Sequence, residues 1–393
     1  MARRVGRLVV AVVAGAAVAG GAAAVVEDGA PVVIGSYRTI HSKVLGEDRT
    51  VLVHLPEGYS KTTASYPVVY MLYGDHVTTY FAQAVVALDT LGSGGRIPEC
   101  VLVGIMNTDR YRDLLPEARG GPTGIDDFLR FLDGELFPWV EKELRTKPFR
   151  VLVGPQAGGN FALYALMERP GMFDAFIIEN PFRWRGGREL LVERAASFFA
   201  AGAGRTGFLH VTWREKDELE TESLPYLRDF VRTVEAAGNP GFRLVLDEVP
   251  VDGEFLVPFR IGAGLRELFD GYPFPDDAEV ASLDDILGRY RALSVRVGFQ
   301  VDAPERVLAA QGHRLTERGE TGAAVEVLGY MLERNPTSLD ALWQLGNLAE
   351  RAGRPAEAVA YYERMVALMG SDAGMIARRV EQLKAQIGGP VAE

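Results

Sequence analysis

The sequence predicts an α/β protein in which a doubly wound, mostly parallel sheet is followed by a small all-α domain of helical repeats. Three observations carry this prediction. Short apolar segments alternate with helical segments as far as Phe269, a glycine-flanked turn joins one such strand to a helix at 154–158, and residues 34 positions apart match near the end of the chain. Continuous apolar strands that alternate with helices are typical of a parallel sheet covered on both faces.

The elements of the first domain can be placed in order. Two β-rich segments, 36–42 and 50–55, are joined by a turn at 46–48 and are expected to pair as antiparallel strands. The apolar strand segments that follow are 68–72, 101–105, 150–153, 176–178, 208–212 and 242–249. The helical segments between them are 80–91, 125–144, 161–168, 190–200 and 224–237. A binding or catalytic site is expected at the carboxyl ends of the parallel strands.

The turn at 154–158 reads Gly154-Pro-Gln156-Ala-Gly158. It follows the G-x-S-x-G pattern of a nucleophile elbow, in which a serine sits on a sharp strand-to-helix turn. Glutamine stands in the place of that serine. A neighbouring base cannot turn a side-chain amide into a useful nucleophile, as it does for serine. The turn therefore predicts the fold of a hydrolase without its acyl-transfer chemistry.

The histidines give the same indication. A serine hydrolase needs a histidine that takes and returns the proton, and in this topology it follows the nucleophile along the chain. The histidines are His41, His54, His76, His210 and His313, so none lies between residues 211 and 312. His76 is expected on a loop that leaves the wrong strand for this role. The base is predicted to be missing.

The chain resembles the enterochelin-esterase-like esterases, in the variety that carries a helical-repeat tail. The resemblance runs from about residue 34 to about residue 368 and implies an α/β-hydrolase fold. It also places Gln156 at the position of the family's serine, Glu254 at that of its histidine, and Glu215 near that of its acid. The segments that carry the resemblance are 70–75, 95–99, 103–116, 154–158 and 257–269.

These positions predict a degenerate triad of Gln156, Glu254 and Glu215. If the fold is preserved, Gln156 and Glu254 should face each other and form an amide–carboxylate hydrogen bond. The two glutamates are also the pair of groups that glycoside hydrolysis uses, although nothing else in the sequence indicates a sugar substrate.

Several other residues at the strand ends are candidates for ligand binding. By the resemblance, the segment that starts with Gly74 and Asp75 supplies one oxyanion-hole amide, and Ala157 supplies the other. These amides are expected to hold a small acyl or carboxylate ligand. Asn107 and Asp109 belong to a polar cluster with arginines, for which loop packing is the competing interpretation. Trp184 lies in a segment that mixes aromatic residues with arginines and is typical of a ligand-binding rim.

Composition and motifs exclude several function classes. The formal charge of −11 and pI near 5.2 argue against nucleic acid as a partner. The sequence has no zinc-ligand spacing and no phosphate-binding loop, so no metal and no cofactor are predicted. Cys100, the only cysteine, lies in an apolar segment and is expected to be a core residue rather than a reactive thiol.

The chain begins with a targeting segment over residues 1–26, in which basic residues precede a Gly/Ala-rich apolar stretch. We expect a signal peptide, with an uncleaved membrane anchor as the alternative, and so an exported protein in the periplasm or outside the cell. Residues 27–275 form the predicted esterase-like domain, and 276–302 form a linker and a helix.

Residues 303–388 are predicted to form tetratricopeptide-like repeats. The pairs 312/346, 319/353, 324/358 and 328/362 match at an offset of 34 residues, which is the period of that repeat. Such helices offer a concave surface for a protein or peptide. A lid or a dimerisation arm is the alternative.

We expect an exported, catalytically inactive member of an esterase family that acts by binding a ligand or another protein. The alternatives are a weak or unconventional carboxylic-ester hydrolase and a purely structural scaffold whose pocket is filled by side chains. An open cleft at Gln156 would favour the binding protein, and a filled one would favour the scaffold.

Overall fold

A computed structural model describes residues 32–117, 123–201, 206–213, 218–249, 257–275 and 281–388. Backbone contacts divide them into a larger unit, Val33–Gln311, and a helical unit from Gly312 onward. The predicted leader 1–26 and two of the three predicted triad positions, Glu215 and Glu254, lie outside the described residues.

An eight-stranded mixed sheet forms the centre of the larger unit. Its strands lie in the order β1-β2-β4-β3-β5-β6-β7-β8. β1 pairs with β2 and β2 with β4 in antiparallel fashion, whereas the other neighbours are parallel. The strands are β1 Ser36–Ser42, β2 Glu47–His54, β3 Tyr66–Met71, β4 Val101–Ile105, β5 Thr146–Pro155, β6 Ala175–Glu179, β7 Gly207–Trp213 and β8 Phe242–Glu248. Each predicted strand segment overlaps one of them, so the mixed, mostly parallel sheet is confirmed.

Burial explains why these segments pair as they do. Every residue of β3 and β4 is buried, and Val69 and Val101 have no exposed surface. A strand buried on both faces must be apolar throughout, which the sequence of these two strands satisfies. Cys100, directly before β4, is 3% exposed, which confirms it as a core residue.

The helices of the larger unit alternate with the strands. They are α1 Ala82–Ser93, α2 Arg110–Leu114, α3 Ile125–Phe131, α4 Phe137–Glu143, α5 Ala157–Glu168, α6 Arg188–Ala200, α7 Glu218–Ala237, α8 Val257–Leu268, α9 Leu283–Val297 and α10 Glu305–Glu317. The predicted helix 125–144 is two α-helices joined by a π-helical turn over Leu132–Leu136. A second π-helical turn, Val77–Phe81, precedes α1 and brings Tyr80 and Phe81 into the core. Sequence periodicity does not reveal such turns because they add only one residue to the local repeat.

The segment between α9 and α10 is part of the larger unit. The ring of Phe299 packs 4.4 Å from that of Phe149 on β5, measured between centroids. Lys147 donates to the Gln300 carbonyl at 2.6 Å, and Arg306 donates to the Gly94 carbonyl at 2.6 Å. Aromatic packing and a charged hydrogen bond therefore tie this segment to β5, and Arg306 ties the start of α10 to the end of α1.

The helical unit consists of helices that each pack on the next in sequence. After the end of α10 they are α11 Thr321–Arg334, α12 Leu339–Arg351, α13 Pro355–Met369 and α14 Gly374–Ile387. A Cβ at Gly312 would lie 2.6 Å from the Leu328 side chain, and one at Gly346 would lie 2.3 Å from the Tyr362 ring. Both pairs are related by the 34-residue offset, so equivalent residues make equivalent contacts. Among the residues that the structure describes, no helix has the length and apolar character needed to cross a bilayer.

Candidate ligand-binding site

The turn from β5 into α5 keeps the geometry of a nucleophile elbow. Gln156 has φ 53° and ψ −116°, a combination that non-glycine residues rarely adopt. A Cβ at Gly154 would lie 2.3 Å from the Gly158 carbonyl oxygen, so the strand and the helix approach too closely for a side chain. The glycines are therefore required by the turn, and the turn presents Gln156 at the carboxyl edge of the sheet.

The side chain of Gln156 is held by a tyrosine. Its Nε2 donates to the Tyr80 hydroxyl at 3.1 Å, while its backbone N–H donates to the Glu179 carbonyl at 3.0 Å. The expected hydrogen bond with Glu254 falls outside the described residues. The contact that the structure shows is a link between the elbow and the π-helical turn before α1.

An open cavity with a volume of about 570 Å³ lies above this turn. Gln156 and Ala157 line it, together with the predicted residues Asn107, Asp109 and Trp184. The structure thus brings five of the predicted positions to one place. Cavities of about 300–1,000 Å³ are typical of small-molecule sites.

Aromatic rings form much of the cavity wall. Tyr73 lies 5.7 Å from Tyr80 and 5.7 Å from His76, measured between ring centroids. On the other side, Tyr111 and Trp184 make an edge-to-face contact at 5.3 Å. The wall therefore offers flat apolar faces to a ligand.

The loop after β4 supplies the polar part of the wall. Asp109 caps α2, because its carboxylate accepts from the backbone N–H groups of Tyr111 at 3.0 Å and Arg112 at 3.1 Å. In contrast, Asn107 Nδ2 and Oδ1 and Trp184 Nε1 are buried and have no hydrogen-bond partner within the described residues. Buried polar atoms are nearly always paired, so these atoms are candidates for contact with a ligand or with ordered water.

The segment predicted to supply one oxyanion amide begins at Gly74. The backbone N–H of Gly74 donates to the Ile105 carbonyl at 2.9 Å, and that of His76 donates to the Tyr73 carbonyl at 3.0 Å. The Gly74 amide is therefore used by the neighbouring strand β4. Within this segment, the described backbone hydrogen bonds leave only the amide of Asp75 unused.

The other predicted donor, the backbone N–H of Ala157, belongs to a residue that lines the cavity together with Tyr73. Burial raises the pKa of Tyr73 to about 12, against the opposing effects of Arg110 and of this amide. Arg110 lies over the Tyr73 ring, with 4.6 Å from the guanidinium carbon to the ring centroid, and also forms an ion pair with the Asp75 carboxylate. Asp75 therefore acts here through its pair with Arg110.

A buried ion-pair network fixes the loop that carries this wall. Arg49 on β2 and Asp113 on α2 have fully buried side chains, and Arg49 Nη1 lies 2.8 Å from Asp113 Oδ2. Arg112 donates to Glu47, and this hydrogen bond is the main reason that the pKa of Glu47 falls to about 2. Asp113 therefore packs between Arg49 and Arg112 and is not among the residues that line the cavity. The network anchors α2, and with it Arg110 and Tyr111, to the sheet.

Several contributors to the site escaped sequence reasoning. Tyr73 follows a predicted strand, and Tyr80 begins the predicted helix after it. Their position near the end of a strand was the signal in the sequence that could have found them. Arg260 on α8 forms an ion pair with Glu179, whose carbonyl accepts from Gln156. Arg260 is 4% exposed, and this burial lowers its pKa. Across the described segments, histidine, cysteine and carboxylate side chains form no group of three that could hold a metal ion.

Comparison with known proteins shows that part of the chain is similar to esterases. Residues 42–198 match the family model described as "Putative esterase". A siderophore enterobactin esterase of Emericella nidulans is 34% identical over 102 residues, which cover 25% of this chain and 32% of that protein. The uncharacterized protein YjcH of Bacillus subtilis is 28% identical over 149 residues, 36% of this chain and 59% of that protein. The chain therefore spans less than two thirds of either relative.

Solved structures share the fold at low identity. An IroE-like serine hydrolase from Shewanella oneidensis has a TM-score of 0.59 and 21% identity, and the match covers 88% of this chain and 99% of that one. The siderophore hydrolase EstB from Aspergillus nidulans has a TM-score of 0.53 and 19% identity, with 64% and 100% covered. Together with the sheet and the elbow, these comparisons support an esterase-like α/β-hydrolase relationship for this chain, with a helical region at its carboxyl end.

Proposed function

We propose that this chain is an exported, esterase-like protein that binds a small ligand in the cavity above Gln156 and does not hydrolyse it through a serine nucleophile. One observation carries the proposal. The residue at the tip of the elbow is a glutamine whose amide is engaged by Tyr80, and it lies at an open cavity.

The chemistry of the described residues supports binding without turnover. The nitrogen lone pair of a side-chain amide is delocalised into its carbonyl group, so Gln156 lacks the nucleophile that an acyl-enzyme requires. His76 is the histidine that lines the cavity, and its ring packs against Tyr73 and Tyr80. His210 is fully buried on β7 and is hydrogen-bonded to Asp247 at 2.7 Å. Neither imidazole has Gln156 as a hydrogen-bond partner.

The open cavity favours a binding protein over a purely structural scaffold. A scaffold would gain stability by filling the space with side chains, because empty volume costs packing energy. Here the space remains, and buried polar atoms of Asn107 and Trp184 lie in its wall without partners. Both features suit a site that is completed by a ligand.

A weak carboxylic-ester hydrolase is the second candidate. The intact backbone of the elbow favours it, as does the resemblance to a siderophore enterobactin esterase. Loss of triad members costs about 10⁴- to 10⁶-fold in turnover, so any such activity would be close to the background rate. The acyl ligand expected from the sequence would then be a slow substrate.

Two assays on the full-length protein test the proposal. A fluorophosphonate probe should not label it, and p-nitrophenyl acetate and butyrate should be hydrolysed no faster than by buffer. Ethyl benzoate should change the tryptophan fluorescence without being consumed, and this signal should disappear in Trp184→Phe, since Trp184 lines the cavity. Robust ester turnover, or covalent labelling by the fluorophosphonate, would refute the binding function.

We also propose that the helical unit binds a protein or peptide partner through tetratricopeptide-like repeats. The repeated contacts of Gly312 with Leu328 and of Gly346 with Tyr362 support this reading of the 34-residue period. A pull-down from the native cell envelope should recover the partner with the full chain but not with a chain that ends at Arg318, after α10. Equal recovery by both would assign the partner to the larger unit. Recovery of the protein only from cytoplasm would contradict export.

A further inference from the structure

The polar groups of Gln156 are engaged within the protein, with one exception. Its backbone N–H donates to the Glu179 carbonyl at 3.0 Å, and its backbone carbonyl accepts from Gly159 at 2.8 Å. Its side-chain Nε2 donates to the Tyr80 hydroxyl at 3.1 Å. Within the described part of the chain, the side-chain oxygen Oε1 has no hydrogen-bond partner.

The contact with Tyr80 decides which end of the amide faces the cavity. Tyr80 is 3% exposed and lies in the π-helical turn before α1, so it holds Nε2 on the buried side. The oxygen of the same planar amide points away from that contact. Gln156 lines the cavity, and its Oε1 retains accessible surface, in contrast to the buried, unpartnered polar atoms of Asn107 and Trp184. The tip of the elbow therefore offers a ligand a hydrogen-bond acceptor.

The charges around the cavity give a second, independent argument. Among the described residues that line it, the acidic and basic side chains are Asp109, Arg110 and His76. The carboxylate of Asp75 forms an ion pair with Arg110 and lies 3.8 Å from His76, so it compensates the positive side. The charge of Asp109 remains. A carboxylate ligand would find no uncompensated cation to offset its desolvation, whereas an ammonium group would meet a net negative charge.

The aromatic part of the wall suits the same kind of ligand. Tyr111 is 49% exposed, and its ring stands at 80° to that of Trp184, with 5.3 Å between centroids. Two rings at nearly a right angle form a corner that can hold a flat apolar body. Aromatic faces also attract cations.

We propose that Gln156 is a recognition residue whose Oε1 accepts a hydrogen bond from the ligand, and that the cavity prefers small primary amines, bound as ammonium ions, over carboxylates. A serine hydrolase of this fold offers donors to its substrate at this place. The exchange of serine for glutamine adds an acceptor instead. The inference rests on the binding function proposed above and names the class of ligand. The backbone N–H of Ala157 would favour carboxylates, which makes the comparison of the two classes decisive.

Benzylamine and benzoate are suitable probes, because each joins a phenyl ring to a small group and the two charges are opposite at pH 7. By calorimetry, the wild-type protein should bind benzylamine about tenfold more tightly than benzoate. Gln156→Glu should strengthen benzylamine binding about tenfold further, and Gln156→Met, which lacks the acceptor, should weaken it about tenfold. Gln382→Glu makes the same charge change at an exposed position of α14 and should alter neither affinity.

Tyr80→Phe tests the orientation of the amide. It keeps the ring and removes the hydroxyl that holds Nε2, so the amide can turn its donor toward the cavity. The preference for benzylamine should fall about fivefold although the acceptor is still present. An unchanged preference would show that Tyr80 does not orient Gln156 and would overturn this step.

The remaining outcomes separate the ligand class from the binding function. Benzoate bound as tightly as benzylamine, or a benzylamine affinity that Gln156→Met leaves unchanged, would overturn the recognition role of Gln156. Binding of neither probe, while ethyl benzoate still changes the tryptophan fluorescence, would also overturn it and leave the binding function intact. Failure of the binding function has a different sign, which is ester turnover or fluorophosphonate labelling.

Discussion

The carboxyl edge of the sheet and the helical unit use the same unusual backbone conformation in different ways. In the helical unit, the described residues with positive φ are Gly319, Gly353 and Gly370, for which this conformation carries no steric cost. At the carboxyl edge, Tyr73 follows β3, Gln156 follows β5, and Asn180 and Phe182 follow β6, all with positive φ and all with side chains.

The difference shows where the molecule bears strain. Each non-glycine residue in such a conformation costs about 1–3 kcal/mol, and residues of this kind cluster at binding and catalytic sites. Two of the four residues at this edge, Tyr73 and Gln156, line the cavity. A strained elbow that carries glutamine instead of serine fits the binding function proposed above.

The largest expected effect comes from introducing a nucleophile and a base at the carboxyl edge of the sheet. Gln156→Ser alone should restore little hydrolysis, because serine without a base stays protonated. Adding Glu254→His should raise the hydrolysis of p-nitrophenyl acetate by about 10²-fold or more over the single change, since a positioned general base contributes about 10²–10⁴. The rates of the single and double variants are measured under identical conditions. Equal rates for the single and double variants would show that residue 254 does not face the elbow and that the resemblance misplaces the base.

A second change probes how tightly the edge is packed. Gly154→Ala should lower the free energy of unfolding by about 3 kcal/mol, because the new methyl group would meet the Gly158 backbone at 2.3 Å. Gly322→Ala in α11, where no atom lies within 4 Å of the new Cβ, should be neutral or stabilising by up to about 1 kcal/mol. Urea unfolding curves measure both free energies of unfolding. A Gly154→Ala variant as stable as wild type would contradict the close approach of the strand and the helix.

A third pair of changes measures the strain itself. Gln156→Ala and Gln156→Gly both lose the hydrogen bond to Tyr80. The difference between their free energies of unfolding therefore measures the backbone strain at this position. We expect the glycine variant to be more stable by about 1–2 kcal/mol. Ala360→Gly, at an exposed position of α13, should have the opposite sign and cost about 1 kcal/mol. If glycine were more stable than alanine at both positions, or less stable at both, the contrast between the two regions would not hold.

The smallest expected effect concerns pH. Hydrogen bonds from Arg112 and Arg49 hold the pKa of Glu47 at about 2, so its stabilisation is complete above the unfolded-chain value of about 4.3 and is lost as pH falls toward 2. After allowance for solvent screening, Glu47→Gln should cost about 1 kcal/mol at pH 7, and this cost should vanish as pH falls through about 2. Glu363→Gln in the helical unit removes an exposed ion pair with Lys384 and should change stability little at either pH.

The sequence predicts most of the fold because buried segments must consist of apolar residues. β3 and β4 are apolar throughout since both faces are covered, and the glycines of the elbow and of the repeats mark close approaches. The position of Gln156 on the cavity follows from the same pattern.

The details of the site depend on contacts between distant segments, which no local pattern contains. The Gly74 amide is used by Ile105 on β4, and the Gln156 side chain reaches Tyr80 across a π-helical turn. The guanidinium over the Tyr73 ring comes from Arg110, on the loop after another strand. Sequence reasoning therefore located the cavity but not the contacts that its residues make.

The single thiol of the chain has a practical consequence. Cys100 is 3% exposed, and burial raises the pKa of its thiol above the usual range, so it is a poor target for alkylating reagents. A cysteine introduced by Tyr111→Cys, at a rim position that is 49% exposed, would be the sole reactive sulfur in the molecule. One fluorophore or spin label attached there would report on events at the mouth of the cavity without any background from the rest of the protein.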